Sequence, residues 1–230
     1  MNFDDLKRIR QAFGIKGVLH ALKYSFLNKI TFYKELQGMI VTMQTLNPKY
    51  LEGNPDYTHK FLTNDEVKKY SDNPETQLSQ KFLERALANG DRCFAILDGD
   101  FLASYGWYST KPTPITKDLE LHFDPAWVYM YKGYTHPKYR GQRLHAIGMA
   151  KALEAVTNEG YKGLISYVET NNFASLRSVY RMGYVNIGKV SIIKILGKYH
   201  IKADADCAAY QFTVQVKNQD DHSFNIPAYR

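Results

Sequence analysis

The chain has 230 residues, 44% of them hydrophobic, which is enough for one sizeable core plus an extension. Its 30 Lys and Arg against 23 Asp and Glu give a formal charge of +7, favouring anionic partners without choosing among nucleic acid, anionic lipid and a phosphorylated cofactor. Cys93 and Cys207 lack both the density of a secreted disulfide scaffold and the clustering of a zinc site; the start Met1-Asn2-Phe3-Asp4-Asp5 lacks the pattern of an export signal; and no run approaches the roughly 18 apolar residues of a membrane span, so a cytoplasmic chain without metal is expected.

In chain order, Ile15, Val18, Leu19, Leu22, Phe26, Leu27 and Ile30 recur at helical spacing with Lys16, His20, Lys23 and Lys29 largely on the other side, predicting a basic amphipathic helix. Residues 32–46 read as a first strand stopped by Asn47-Pro48, followed by a polar loop through Gly53-Asn54-Pro55-Asp56. Thr63-Asn64-Asp65-Glu66 has the form of a capping box, so a short helix should run to about Tyr70. Leu78, Phe82, Leu83, Ala86 and Leu87 form another helical stripe over 75–89, with Asn89-Gly90 as its stop.

Two short β-rich runs, 93–97 and 101–108, flank Asp98-Gly99 and predict a hairpin. Pro112, Pro114 and Pro125 make 110–125 a long loop before a strand at 127–135, on which Trp127, Tyr129 and Tyr131 share one face. A helix to about Asn158, a buried strand at 164–168, a helix over 172–182, a strand from Tyr184 and a last strand at 210–216 complete the pattern. The polar tail after Lys217 has little apolar surface to hold it down.

The segment Tyr134-Thr135-His136-Pro137-Lys138-Tyr139-Arg140-Gly141-Gln142-Arg143-Leu144-His145 passes from a strand through a basic, glycine-bearing turn into a helix. A helix N-terminus presents unpaired N–H donors and partial positive charge, Gly141 lets backbone approach an anion, and Lys138, Arg140 and Arg143 add charge, a geometry that suits a pyrophosphate. This segment resembles the coenzyme-A motif of the GNAT N-acetyltransferase superfamily, with Thr135, Pro137, Arg140 and Gly141 in register; Thr135 stands where an aliphatic residue is usual and Arg143 where a second glycine is usual. Asn172, Ser175, Gly183 and Tyr184 are similar to the family's second segment, spaced as Asn, two residues, Ala or Ser, then Gly-Phe or Gly-Tyr. Asn172 also reads as a simple helix N-cap.

The resemblance, over residues 32–216, implies an α/β fold of GNAT type: a mixed, mostly antiparallel twisted sheet with splayed parallel central strands, flanked by helices; the helical spacing before it adds an N-terminal amphipathic helical extension. The corresponding division is 1–31 extension, 32–216 acyltransferase domain and 217–230 tail. It further implies an acyl-CoA-dependent N-acyltransferase with acetyl-CoA, or another acyl-CoA, as co-substrate. Tyr134, Thr135, Lys138, Arg140, Gly141, Gln142, Arg143, Leu144, His145, Asn172 and Ser175 would hold the cofactor, with oxyanion donors from the backbone near Tyr134 and Thr135.

Many relatives protonate the leaving thiolate with a tyrosine seven residues after the asparagine; here Val179 takes that place and Tyr180 follows, about 100° further round the helix. Tyr180 is therefore the candidate acid and Glu169, at the end of a strand, the candidate base, with a water relay as the alternative to a single base. The acceptor is expected to be a small amine such as an amino acid or amino sugar. Residues 1–30 either pack over the domain with their lysines in water or dock to an anionic membrane surface or an acyl carrier protein. A non-catalytic acyl-CoA sensor or scaffold is the rival reading, and nucleic-acid binding lacks any recognition motif.

Overall fold

The computed structural model describes residues 3–71 and 73–217; the predicted tail falls almost wholly outside the described residues. In chain order the elements are α1 (Phe3–Ile30), β1 (Tyr33–Val41), β2 (Thr58–Phe61), α2 (Asn64–Lys68), α3 (Gln80–Asn89), β3 (Arg92–Asp98), β4 (Phe101–Ser109), β5 (Thr113–Pro114), β6 (Leu119–His122), β7 (Val128–Thr135), α4 (Leu144–Asn158), β8 (Leu164–Glu169), α5 (Phe173–Met182), β9 (Val185–Ile195), β10 (Lys198–Ala203) and β11 (Thr213–Val216). Local signals explain most of these boundaries. Thr63 and Glu66 close the expected capping box at α2, and Gly90, at φ 83°, ends α3 in the left-handed conformation.

Eight strands form one sheet in the order β10-β9-β1-β8-β7-β4-β3-β2, antiparallel throughout except for the central β7–β8 pair. The mixed, mostly antiparallel sheet with central parallel strands and flanking helices matches the expected fold class. α4 packs on one face through Met149, Ala150 and Leu153 against Met39, Phe94 and Leu164. The opposite face is covered in part by a small sheet of order β11-β6-β5, whose Leu119, Leu121 and Val214 meet Leu36, Ile165 and Ile187.

The expected first strand forms as β1 and lies between β8 and β9, held by antiparallel ladders on both sides. Several expectations are corrected here. Residues 110–125 are not a structureless loop, because Pro114 sits in the two-residue strand β5, beside β6 in the small sheet. β2 and β10 appear where no strand was predicted, both at sheet edges, where one ladder suffices.

α1 breaks at Gly14, whose φ of 67° and ψ of −169° are non-helical. Beyond the break, the packed face is not the apolar stripe read from the sequence. Gly17, Ala21 and Tyr24 face the sheet; Tyr24 donates a hydrogen bond to Glu169 at 2.7 Å and His20 Nε2 meets Thr170 Oγ1 at 3.0 Å. Ile15, Leu19, Leu22, Phe26 and Ile30 remain exposed on the other side, four of them above 60%.

Candidate active site

β7 and β8 pair at only two positions, Val128 with Leu164 and Tyr129 with Ile165, and then part. Just past the fork, Ser166 bridges the strands by donating to the Met130 carbonyl at 3.1 Å. The opening becomes a cleft of about 690 Å³, bounded by β7 (Tyr129–Tyr131, Gly133), β8 (Ser166–Glu169), the first turns of α4 (His145, Met149) and the inner side of α5 (Asn172, Ser175, Ser178, Val179). Beyond Tyr129 the β7 backbone facing β8 loses its ladder partner, and the register shift opposite Trp107 and Tyr108 falls at the same level. Parallel strands that diverge with polar backbone at the fork form a site where an extended chain can lie between them.

The basic turn opens at the end of β7. His136 caps the tight turn Pro137–Tyr139, accepting from the Lys138 N–H, and buried Tyr139 anchors it by donating to Asp98 at 2.6 Å. Arg140, Gly141, Gln142 and Arg143 then run exposed into α4. Gly141 has φ 86° and nothing within 4 Å of where a Cβ would sit, so its backbone is approachable. Gln142 accepts from the Tyr57 hydroxyl at 3.0 Å, and Leu144 is buried, pinning the first turn of the helix. Arg143 precedes α4 with no side-chain cap, so the first-turn N–H donors are left to whatever occupies the turn.

Arg143 has φ 61° and ψ 19°, the left-handed region, at the position where a second glycine was the usual residue. A Cβ there costs about 1–2 kcal/mol, partly balanced by glycine's greater loss of backbone freedom. Arg143→Gly is therefore expected to stabilise the fold by about 0.5–1 kcal/mol, raising the melting temperature by about 1–4 °C. Thermal unfolding checks this, and a lower melting temperature would contradict it.

On the other wall, Asn172 caps α5 by accepting from the Ser175 N–H at 3.2 Å, and both residues border the cleft. His145, Glu169, Asn172 and Ser175 thus converge on the cleft, while Lys138, Arg140, Gly141, Gln142 and Arg143 form the turn above it. Four expected residues lie in neither the cleft lining nor the exposed turn, Leu144 being buried in the core. Tyr134 donates its hydroxyl to the Glu75 carbonyl, and Thr135 is hydrogen-bonded to Ser104 on β4. Tyr180 is about half exposed, and its hydroxyl accepts from Gln37.

Glu169 has both carboxylate oxygens engaged: one pairs with Lys34 and the other accepts from Tyr24. Burial, reinforced by that bond, pushes the Tyr24 hydroxyl far up, so it remains a donor. Sequence reading missed Ser166, Tyr167 and Ser178 at the cleft, and Lys34 and Tyr24 behind Glu169. Ser178 was within reach, one residue before Val179 on the predicted helix, whereas Lys34 and Tyr24 arrive from elements more than 130 residues away. Tyr129, stacked between Tyr131 and Tyr167, lines the cleft and packs in the core at once.

This arrangement defines a protein with an elongated cleft between forked strands under an exposed, basic helix start. The chain belongs to the Acetyltransferase (GNAT) family, whose sequence model matches residues 58–184. No curated protein matches it. Among solved structures it is similar to a Drosophila structural-genomics target (14% identity, 79% of this chain and 58% of that one, TM-score 0.48). A GCN5-related N-acetyltransferase-like protein from Streptococcus suis (11%, 80% and 68%, 0.46) and a GCN5-related N-acetyltransferase from Sphaerobacter thermophilus (10%, 79% and 56%, 0.47) are also similar. The chain thus spans 56–68% of the lengths of these three. The family is one of acyltransferases that use acetyl-CoA or another acyl-CoA as co-substrate. Among the described residues no helix is long and apolar enough to cross a membrane, and no group of three or more His, Cys, Asp or Glu is placed to hold a metal ion.

Proposed function

We propose that this protein is an N-acyltransferase that binds an acyl-CoA, with acetyl-CoA as the default, and moves the acyl group to a primary amine by direct attack on the thioester. The fork of β7 and β8 directly below the Arg140–Arg143 turn carries the reading: it offers one continuous path from an exposed, basic helix start to an open strand gap. Lys138, Arg140, Gly141, Gln142 and Arg143 would take the pyrophosphate, with Leu144 fixing the helix start. Asn172 and Ser175 would face the pantetheine arm. The β7 backbone beside Tyr131, rather than that at Tyr134 and Thr135, would stabilise the developing oxyanion, because it is the part that faces the open fork. Glu169 serves as an anchored carboxylate at the cleft end, and Tyr180 stays tied to Gln37.

Thermal-shift screening with acetyl-CoA, longer acyl-CoAs and an amine library, followed by thiol release, tests this. At a ligand concentration of about 100 Kd, binding adds about 2.7 kcal/mol, a rise in melting temperature of roughly 5–10 °C. No shift with any acyl-CoA overturns the reading, and binding without thiol release from any amine turns it into an acyl-CoA sensor.

A second reading concerns residues 1–31, which we assign as a docking extension to the catalytic domain at 32–216. The exposed Ile15, Leu19, Leu22, Phe26 and Ile30 fall within an arc of about 80° and extend roughly 22 Å along the helix. Lys16, Lys23 and Lys29 flank them, and the helix has no acidic residue after Gly14. The β9–β10 turn adjoins the end of α1, since Thr31 donates to the Lys194 carbonyl, and it presents Leu196 at 98% exposure between Ile195 and Lys198. A straight apolar stripe edged by lysines fits an anionic lipid surface, which would place the enzyme at the cytoplasmic face of a membrane. Flotation is expected to recover the protein with phosphatidylcholine vesicles containing phosphatidylserine but not with phosphatidylcholine alone, and Leu19→Asp with Phe26→Asp should abolish recovery. Absence from anionic vesicles, with self-association or capture of an acidic carrier protein instead, would refute the lipid assignment.

A further inference from the structure

The cleft presents few groups able to carry a proton. Val179 makes part of the wall apolar, and Tyr180 is held outside by Gln37. Glu169 is engaged on both oxygens, the Tyr131 hydroxyl donates to Asp91 at 2.8 Å, and the Ser166 hydroxyl donates to Met130.

His145 differs from all of these. It sits in the first turn of α4, directly below the phosphate-accepting turn, and is open to the cleft. Its ring lies flush against β7 at Gly133, where a Cβ would come within 2.1 Å of Cε1 and 2.7 Å of Nδ1. The imidazole occupies space that only a glycine opposite can leave. Among the described residues neither ring nitrogen has a hydrogen-bond partner. The ring is open to the cleft, so both nitrogens are available to a bound ligand.

We infer that His145 is the proton shuttle of acyl transfer, its imidazole passing the proton of the attacking amine to the departing sulfur. This rests on the acyl-transfer reading above. As the amine's lone pair forms the C–N bond, the nitrogen carries one proton too many, and the neutral imidazole takes it. As the C–S bond breaks, its electron pair leaves on sulfur, and the imidazolium delivers the proton there. Amide and thiol are the products, the ring returns to neutral, and no further reactant is consumed.

Burial holds the His145 pKa below its usual value, so the ring rests neutral near pH 7 and its conjugate acid readily protonates a thiolate, whose ordinary pKa is about 8.5. The titratable groups around it are Tyr105 and Tyr108 on β4, Tyr129 and Tyr131 on β7, and Tyr167 and Glu169 on β8, with Arg140 and Arg143 in the turn above. Burial pushes Tyr108, Tyr129, Tyr131 and Tyr167 upward, so these stay neutral through the range in which His145 titrates.

The test uses the full chain with ¹⁵N-labelled histidine, titrated in pH with CoA and with desulfo-CoA, two ligands that differ only at the sulfur. The His145 pKa is expected to differ by at least about half a unit between the two complexes. Identical titrations with both ligands bound overturn the shuttle, whereas failure of the wild type to bind CoA at all overturns the acyl-CoA reading itself. In parallel, His145→Gln should bind CoA within about threefold of wild type and slow transfer to the amine found by screening by at least about 100-fold, with loss of the acidic limb of the kcat profile. Unchanged kcat with the limb intact, or lost CoA affinity with kcat retained, would reject it.

Discussion

Gly183→Ala is expected to lower stability by roughly 2–5 kcal/mol and the melting temperature by about 5–15 °C. Gly183 ends α5 at φ 101°, and a Cβ there would sit 1.9 Å from the Thr45 carbonyl oxygen and 2.8 Å from its carbon. Both obstacles are backbone, so no rotamer can relieve the clash. The same contact fastens α5: the Asn47 N–H donates to the Met182 carbonyl at 2.9 Å, and Asn47 Nδ2 reaches the Arg181 carbonyl. Movement there would tilt the helix that carries Asn172 and Ser175. Gly99→Ala isolates the conformational part, because Gly99 has φ 58° but nothing within 4 Å, and should cost only about 1 kcal/mol. Equal melting temperatures for the two variants would refute the steric account.

That comparison also marks what a sequence discloses. The stretch from β7 through α5 was legible because its signals are local: Arg140-Gly141 before a helix, Asn172 capping, and Gly183 terminating. Why Gly183 must be glycine was not legible, since Thr45 lies far upstream. The placement of β1 between β8 and β9 is a choice among non-local ladders that β-propensity does not encode. Hydrophobic periodicity marked the face of α1 that stays exposed, because it weighs apolar area, whereas the packed face buries the small Gly17 and Ala21 and uses the Tyr24 hydroxyl for Glu169. Glu169 was found, but a single strand end could not reveal that Lys34 and Tyr24 already occupy it.

Arg140→Ala should weaken acetyl-CoA binding about 10- to 150-fold, the range for losing one charge-assisted contact worth about 1.5–3 kcal/mol. Arg140 leaves the tight turn in extended conformation, exposed and just ahead of Gly141, with its backbone N–H donated to the Pro137 carbonyl at 3.2 Å. Its side chain is not spent on the fold, so removing it should leave the melting temperature within about 1 °C, as for most surface substitutions. Acetyl-pantetheine, which keeps the thioester but lacks the pyrophosphate, separates the roles by calorimetry. If Arg140 reads phosphate, the variant and the wild type bind acetyl-pantetheine equally, and the wild-type preference for acetyl-CoA shrinks as salt rises. Equal weakening toward both ligands would mean instead that Arg140 shapes the cleft below the turn, and the pyrophosphate would then belong to Lys138, Arg143 and the α4 backbone.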